Sequence, residues 1–200
     1  MEIGFYILDR QWHSSARLRK VIQAMIDGIP GGINYSQIVV PMSGGEQFRP
    51  EKLYDIAVSW SIYKKYIPAT IFKKRVFEFQ KEHDKEFLVL ERGFVKREKY
   101  NSVGYNHQNG YADFKNEFMP PDRWKETEEK IKPYRSEGKH ILLCGQIPHD
   151  TSVQDIDYNN WLNKIPQEIA KYTDRPIIFR QHPLVRNSSA LNGVSYSHNK

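Results

Sequence analysis

The sequence predicts an α/β protein with parallel strands, organised in two halves. Three observations carry that expectation. Apolar runs of strand length alternate with stretches of helical periodicity, the order found where parallel strands are joined by helical crossovers. A segment rich in Pro, Gly and charge, Pro133 to Lys139, interrupts the pattern and separates residues 1–132 from residues 139–200. Two apolar runs in the second half, Ile141 to Cys144 and Ile177 to Phe179, each break abruptly into polar residues. Ligands in open parallel sheets bind beyond the carboxyl ends of the strands, so these two breaks are the strongest site signals in the chain.

Glu2 to Leu8 reads as a first strand and Asp9 to His13 as a loop. Ser14 or Ser15 can cap a helix, on which Leu18, Val21, Ile22, Met25, Ile26 and Ile29 recur at the spacing of one helical face. Pro30-Gly31-Gly32 ends that pattern. Gln37 to Val40, Tyr54 to Trp60 and Glu86 to Leu90 read as further strands, with a helix around Thr70 to Lys81. Residues 93–121 have no clear period, but they are rich in Gly, Asn, Tyr and Phe. An aperiodic stretch of that length is usually functional or disordered, and its aromatic content argues against disorder. A short charged helix is expected at Arg123 to Ile131. In the second half the order is a strand at 140–145, a helix around 158–171 and a strand at 176–180. Tyr158, Trp161, Leu162, Ile165 and Ile169 share the helix face, and Pro166 is expected to kink or restart it. Gly193 to Ser197 suits one more strand.

The chain has 200 residues, 39% of them apolar, and a net charge of +6. No apolar run approaches the ~20 residues that span a bilayer. Glu2 ahead of a short apolar run does not read as a signal peptide. Cys144 is the only cysteine, so no internal disulfide is expected and a reducing, cytoplasmic setting fits. The positive charge favours anionic partners: nucleic acid such as DNA, nucleotides or sugar phosphates. No membrane partner is expected.

Three motifs offer chemistry. After the strand at 140–145, Gly145-Gln146 allows a ligand to approach the backbone, and the amides of such a turn can bind phosphate. His149, Asp150 and Ser152 add a base and a hydroxyl donor, or else simply cap the next element. After the next strand, Arg180 can grip a phosphate in bidentate fashion, and His182 can donate to phosphate or act as acid or base. The third motif runs from Ser102 to Phe114. Asn106, His107, Gln108 and Asn109 suit sugar hydroxyls or a base edge. Tyr105, Tyr111 and Phe114 offer stacking faces, Asp113 offers a carboxylate base, and Gly104 and Gly110 permit tight turns. The alternative is an ordered loop packed on its own aromatics. Asp155-Ile156-Asp157 spells an Asp-x-Asp motif, but Asp157 sits where a helix N-cap is expected. No zinc spacing, Walker loop, dinucleotide fingerprint or nucleophile elbow is present.

Taken together, Glu91-Arg92-Gly93, Gly104-Tyr105-Asn106, Asn109-Gly110, Ala112-Asp113-Phe114, Cys144 to Pro148 with Asp150 and Ser152, and Arg180 to Leu184 resemble a group of phage and bacterial glycosyltransferase-like proteins. These are similar to capsule-polysaccharide enzymes of the Kdo-transferase type, which have the GT-B fold. The resemblance is clearest over residues 86–185. It implies two Rossmann-like halves, an acceptor-side half at 1–132 and a donor-side half at 139–200, the latter shortened relative to the family pattern. It implies a nucleotide sugar as donor and no metal or other cofactor. Under this resemblance Asp113 or His107 is the base for the acceptor hydroxyl. His182, Arg180, Gly145, Gln146, His149, Asp150 and Ser152 line the donor site, and Arg92, Tyr105, Asn106 and Asn109 contribute to ligand binding. A hydroxymethylated DNA base is one acceptor that the charge suits. Two other readings stand beside transfer: a binder that sequesters a nucleotide or nucleotide-derived immune signal in phage anti-defence, and a nucleic-acid-binding accessory protein. A shortened α/β half leaves a sheet edge open, so a homo-oligomer is expected.

Overall fold

The computed structural model describes residues 1–115, 117–134, 137–185 and 194–196. The chain divides into two compact units, Met1–Glu129 and Lys130–Lys200. Both are mixed α/β structures with parallel strands.

The N-terminal unit begins with β1 (Glu2–Leu8), α1 (Asp9–Ser14) and α2 (Ala16–Asp27). It continues with β2 (Asn34–Val40), β3 (Ile56–Trp60), α3 (Ile71–Glu82), β4 (Glu86–Arg92), β5 (Asn101–Tyr105) and α4 (Asp122–Glu126). The sheet order is β2-β1-β3-β4-β5. The first four strands in that order run parallel, and β5 is antiparallel to β4. Side chains alternate between the two faces, as a strand requires. Phe5, Ile7, Leu88 and Leu90 pack with Leu18, Ile22 and Ile26 of α2. Tyr6, Leu8, Phe87 and Val89 pack with Phe72 and Val76 of α3. The two crossovers thus cover opposite faces. The chain moves one way from β1 to β2 and the other way from β3 to β4, so right-handed connections demand this. The order reverses between β1 and β3, which makes their carboxyl ends the topological switch point.

Several expectations change at this level. Asp9 to His13 is not a loop, because α1 follows β1 directly. Ser15 is the cap of α2; its Oγ accepts the Leu18 N–H at 3.2 Å. The helix closes at Gly28, before the Pro-Gly-Gly run. Within 93–121 lies β5, which pairs with β4 from Leu88↔Tyr105 to Arg92↔Asn101. The charged helix at 123–131 shrinks to Asp122–Glu126, which buries no side chain. Without an apolar stripe, nothing holds further turns against the unit.

The C-terminal unit holds β6 (Ile141–Cys144), α5 (Tyr158–Ala170), β7 (Ile177–Arg180) and β8 (Ser195–Tyr196). The strands are parallel, in the order β6-β7-β8. Gly193 and Ser197, the ends of the expected last strand, lie outside the described residues. Leu143, Ile177 and Phe179 form the core with Leu162, Ile165 and Ile169 of α5. The apolar run of β6 reads as a buried strand, yet Leu142 is 41% exposed. α5 covers one face only. Asp157 caps α5, its Oδ1 accepting the Asn160 N–H at 3.1 Å. The helix runs on through Pro166. Proline removes one helical hydrogen bond, but Leu162 and Ile165 before it and Ile169 after it are all seated on the same core. Among the described residues no helix is long and apolar enough to cross a membrane.

Candidate functional site

In the C-terminal unit the fold brings two of the three motifs side by side. β6 and β7 are adjacent, with Cys144 opposite Arg180. The loop Gly145 to Ser152 and the turn Arg180 to Val185 therefore leave the same edge of one sheet. The Gly145 N–H donates to the Arg180 carbonyl at 2.8 Å. The Gln146 N–H donates to the Tyr158 hydroxyl at 2.7 Å, and the Ile147 N–H to Gln146 Oε1 at 2.8 Å. These three amides are engaged within the unit, so the side chains supply the polar surface of the loop. Asp150 Oδ1 accepts both the N–H (2.9 Å) and the Oγ–H (2.6 Å) of Ser152. Gln146 Nε2 donates to Ser152 Oγ at 3.4 Å. His149 and Arg180 are exposed. Gly145 has a packing reason of its own, because a Cβ there would stand 2.8 Å from the Phe179 ring.

The Arg180 to Val185 turn is tied down locally. Gln181 Nε2 donates to the Val185 carbonyl at 2.6 Å. The Leu184 N–H donates to His182 Nδ1 at 3.2 Å. An accepting Nδ1 means that the neutral imidazole carries its proton on Nε2. His182 thus presents an N–H donor.

The third motif lies in the N-terminal unit. Asp113 and Tyr105 exchange two backbone hydrogen bonds, at 2.9 and 3.1 Å, which close the intervening loop. Asn106, at φ 64°, takes the positive dihedral in this loop, and its N–H donates to the Phe87 carbonyl at 2.7 Å. Gly104 serves close packing rather than a turn: its missing Cβ would stand 2.6 Å from Ala112 Cβ. His107 Nδ1 lies 3.0 Å from the Gln108 carbonyl. A carbonyl only accepts, so Nδ1 holds the proton and Nε2 carries a lone pair. The His107 ring meets Tyr111 edge-on at 5.2 Å. Lys115 Nζ stands 4.0 Å over the Tyr105 ring and occupies one of its stacking faces. The Asp113 side chain is exposed. Arg92, at the end of β4, pairs with Glu98 at 3.6 Å. The side chain of Asn109 lies outside what the structure describes.

The fold also adds residues that sequence reasoning missed. Ser61 directly follows β3 at φ 60°, a strained value for a residue with a Cβ. Its Oγ donates to Gln108 Oε1 at 3.1 Å, and its carbonyl accepts from Ser59 Oγ at 3.2 Å. Lys73 of α3 is buried, and its Nζ donates to the Trp60 carbonyl at 2.5 Å. Burial pushes the Lys73 ammonium down to about 7, with Lys64 adding to the effect and Glu91 opposing it. Ser59, Ser61, Lys73 and Gln108 thus make a buried polar cluster at the carboxyl ends of β3 and β4. One sequence signal could have shown it: Lys73 and Gln80 stand on the α3 stripe that also carries Val76, where an apolar residue is expected.

Among the described residues no group of His, Cys, Asp and Glu could hold a metal ion. No family model matches the chain, and neither the curated proteins nor the solved structures contain a match.

Proposed function

We propose that the chain is a GT-B-like glycosyltransferase. In this reading a nucleotide sugar is taken up beyond β6 and β7 of the C-terminal unit, and residues of the N-terminal unit serve the acceptor. The observation that supports this most is the opposite tautomers of two histidines. His107 keeps a lone pair on Nε2, as a base for an acceptor hydroxyl must. His182 keeps an N–H on Nε2, as a donor to a leaving diphosphate must.

In the proposed step His107 Nε2 takes the hydroxyl proton as the acceptor oxygen attacks the anomeric carbon. The bond from that carbon to the diphosphate oxygen breaks, and the leaving group carries the electron pair away. Arg180 and His182 take up the developing charge. Gln146, His149, Asp150 and Ser152 hold the donor. Asp113 is the alternative base. A hydroxymethylated base in DNA suits a chain of net charge +6.

A second reading has one observation in its favour. The amides of Gly145, Gln146 and Ile147 are engaged within the fold and add nothing to leaving-group stabilisation. A protein that holds a nucleotide without turning it over does not need them.

Incubation with nucleotide sugars and hydroxymethylated DNA, read by mass spectrometry, separates the two. Transfer predicts a glycosylated base and a freed nucleoside diphosphate, both lost in His107→Ala and His182→Ala. A ligand that binds tightly and comes back intact on denaturation would replace transfer with sequestration. Binding of neither kind would overturn both readings.

A further inference from the structure

On the face of the N-terminal sheet that carries Tyr6 and Leu8, α3 packs against β3 and β4. The β1–β2 side of that face is covered by the loop between β2 and β3, through Phe48 and Tyr54. Gly4 makes this possible. A Cβ there would stand 2.5 Å from Tyr54 Cδ2, so its absence lets the Tyr54 ring lie on β1. Tyr6 follows two residues on, on the same face, with Ile38 opposite it on β2. The rings of Tyr54 and Phe48 meet Tyr6 edge-on, at 6.1 and 6.0 Å. Loop and strands enclose a pocket of about 720 Å3, inside the roughly 300–1,000 Å3 of an ordinary small-molecule site. No residue of the three motifs lines it.

The interior of this pocket holds donors without acceptors. Tyr6 is 3% exposed and Tyr54 5%. Neither hydroxyl makes a hydrogen bond among the described residues, and neither is sealed from solvent, so both open into the pocket that their rings line. Burial, and then Tyr54 beside it, raise the pKa of the Tyr6 phenol, which keeps it a neutral donor. Buried hydroxyls of this kind call for a partner. Arg49 stands at the exposed mouth. Its Nη1 donates to the carbonyls of Gln47 and Phe48, both at 3.1 Å, which fixes the side chain and leaves its other N–H groups for a ligand. Lys52 Nζ lies 5.1 Å from the centre of the Tyr54 ring. Lys52 also pairs with Glu2 at 2.9 Å, on the surface, where such a pair is weak. Glu51 is the one carboxylate on the lining, so the cations outnumber it. Ile38, Pro41 and Phe48 make the remaining walls apolar.

We infer that this pocket binds a small aromatic carboxylate. The hydroxyls of Tyr6 and Tyr54 donate to the carboxylate, and Arg49 supplies the counter-charge. The ring packs edge-to-face with Phe48, against Ile38 and Pro41. Each feature narrows the ligand: the two phenols select an acceptor, the cations a charged one, and the apolar walls a flat body. The inference does not rest on sugar transfer, because every residue it uses is in the N-terminal unit and none belongs to the proposed reaction.

The test is calorimetric titration of the full chain with benzoate, phenylacetate and indole-3-carboxylate, each beside its neutral amide. Saturable binding of at least one carboxylate is expected, tighter than that of its amide. Tyr6→Phe and Tyr54→Phe each delete a hydroxyl that leaves no partner stranded, so both should keep the melting temperature near that of the parent. Each should weaken the carboxylate roughly tenfold, as loss of a hydrogen bond to a charged group does. Arg49→Gln, at an exposed position, should narrow the gap between acid and amide. The inference is overturned by no saturable heat at millimolar carboxylate, or by an amide that binds as tightly as its acid. Affinity unchanged in both phenylalanine variants would also overturn it, by moving the ligand away from this pocket.

Discussion

Ser61 Oγ donates a 3.1 Å hydrogen bond to Gln108 Oε1, and both side chains are buried. The pair joins the carboxyl end of β3 to a loop 47 residues further along the chain. Ser61 also holds a left-handed φ of 60°, a conformation that costs about 1–3 kcal/mol where the surroundings impose it. Gln108 and the Leu90 carbonyl, which accepts the Ser61 N–H at 2.7 Å, are part of what imposes it. Gln108→Leu strands the Ser61 hydroxyl in the core and should cost about 1–3 kcal/mol. Urea denaturation measures this. Ser61→Ala in the same chain should recover part of the loss, because the stranded donor is then gone. A Gln108→Leu chain as stable as the parent would mean that the pair holds nothing.

Lys73 makes stability depend on pH, with a definite sign. Folding lowers its pKa from 10.5 to about 7. Between those values the unfolded chain keeps the proton that the folded chain releases. The unfolded state then binds more protons, and stability rises with pH. Burial pushes the Tyr6 phenol well above its ordinary range, and that linkage has the opposite sign above about pH 10. The melting temperature should therefore climb from pH 7 toward 10 and then level or fall. Lys73→Met should flatten the climb. An equally steep climb in Lys73→Met would assign it to other groups.

Gly145→Ala tests the seam between β6 and β7. The new Cβ would stand 2.8 Å from Phe179 Cζ and 3.3 Å from the Tyr158 hydroxyl. Phe179 is 2% exposed and packed in the small core of its unit, so it has little room to yield. Overpacking of this kind costs about 1–3 kcal/mol. In a chain with two compact units, the loss should appear in the C-terminal one. Hydrogen exchange should show faster exchange at the amides of β6 and β7 and unchanged exchange in β1 and β3. Uniform acceleration in both units would contradict this.

Asp150→Ala removes the acceptor that holds Ser152 by two hydrogen bonds. The expected cost in stability is about 1–2 kcal/mol, measured by thermal denaturation. Asp150→Asn keeps an oxygen where Oδ1 accepts both donors, and should lose less. Under the transfer reading both variants weaken nucleotide-sugar binding in the same order. Equal weakening in the two variants would show that the carboxylate charge matters more than the shape of the loop.

Much of the architecture is legible in the residues themselves. The recurrence of Leu18, Ile22 and Ile26 marks α2, and all three are buried against one face of the sheet. The apolar runs at Phe5 to Leu8 and Phe87 to Leu90 mark strands covered on both faces. Local signals fail where a partner decides the outcome. β5 carries no period strong enough to announce a strand, and β4 makes it one by pairing along its whole length. Pro166 reads as a break, yet the core of the C-terminal unit holds the helix together on both sides of it.

The candidate site divides in the same way. Gly145 to Ser152 and Arg180 to His182 are visible in sequence as polar breaks after apolar runs. Their neighbouring positions follow from the parallel pairing of β6 with β7. The tautomers of His107 and His182 are not visible in sequence, because each depends on which backbone group its Nδ1 meets. Lys73 lies outside every motif and is marked only by its burial, which also turns Gln108 of the third motif into a core residue.

By itself, then, the sequence determined the α/β class, the order of most strands and helices, and the polar segments at the strand ends. These are local properties, written in periodicity and in the contrast between apolar and polar runs. Tertiary structure alone decided the strand order β2-β1-β3-β4-β5, the burial of Lys73, the pairing of Ser61 with Gln108 and the pocket beside Tyr6. Each of these depends on contacts between residues far apart in the chain. Desolvation and hydrogen-bond satisfaction act on groups brought together in space, and neither is a property of a residue and its neighbours in sequence.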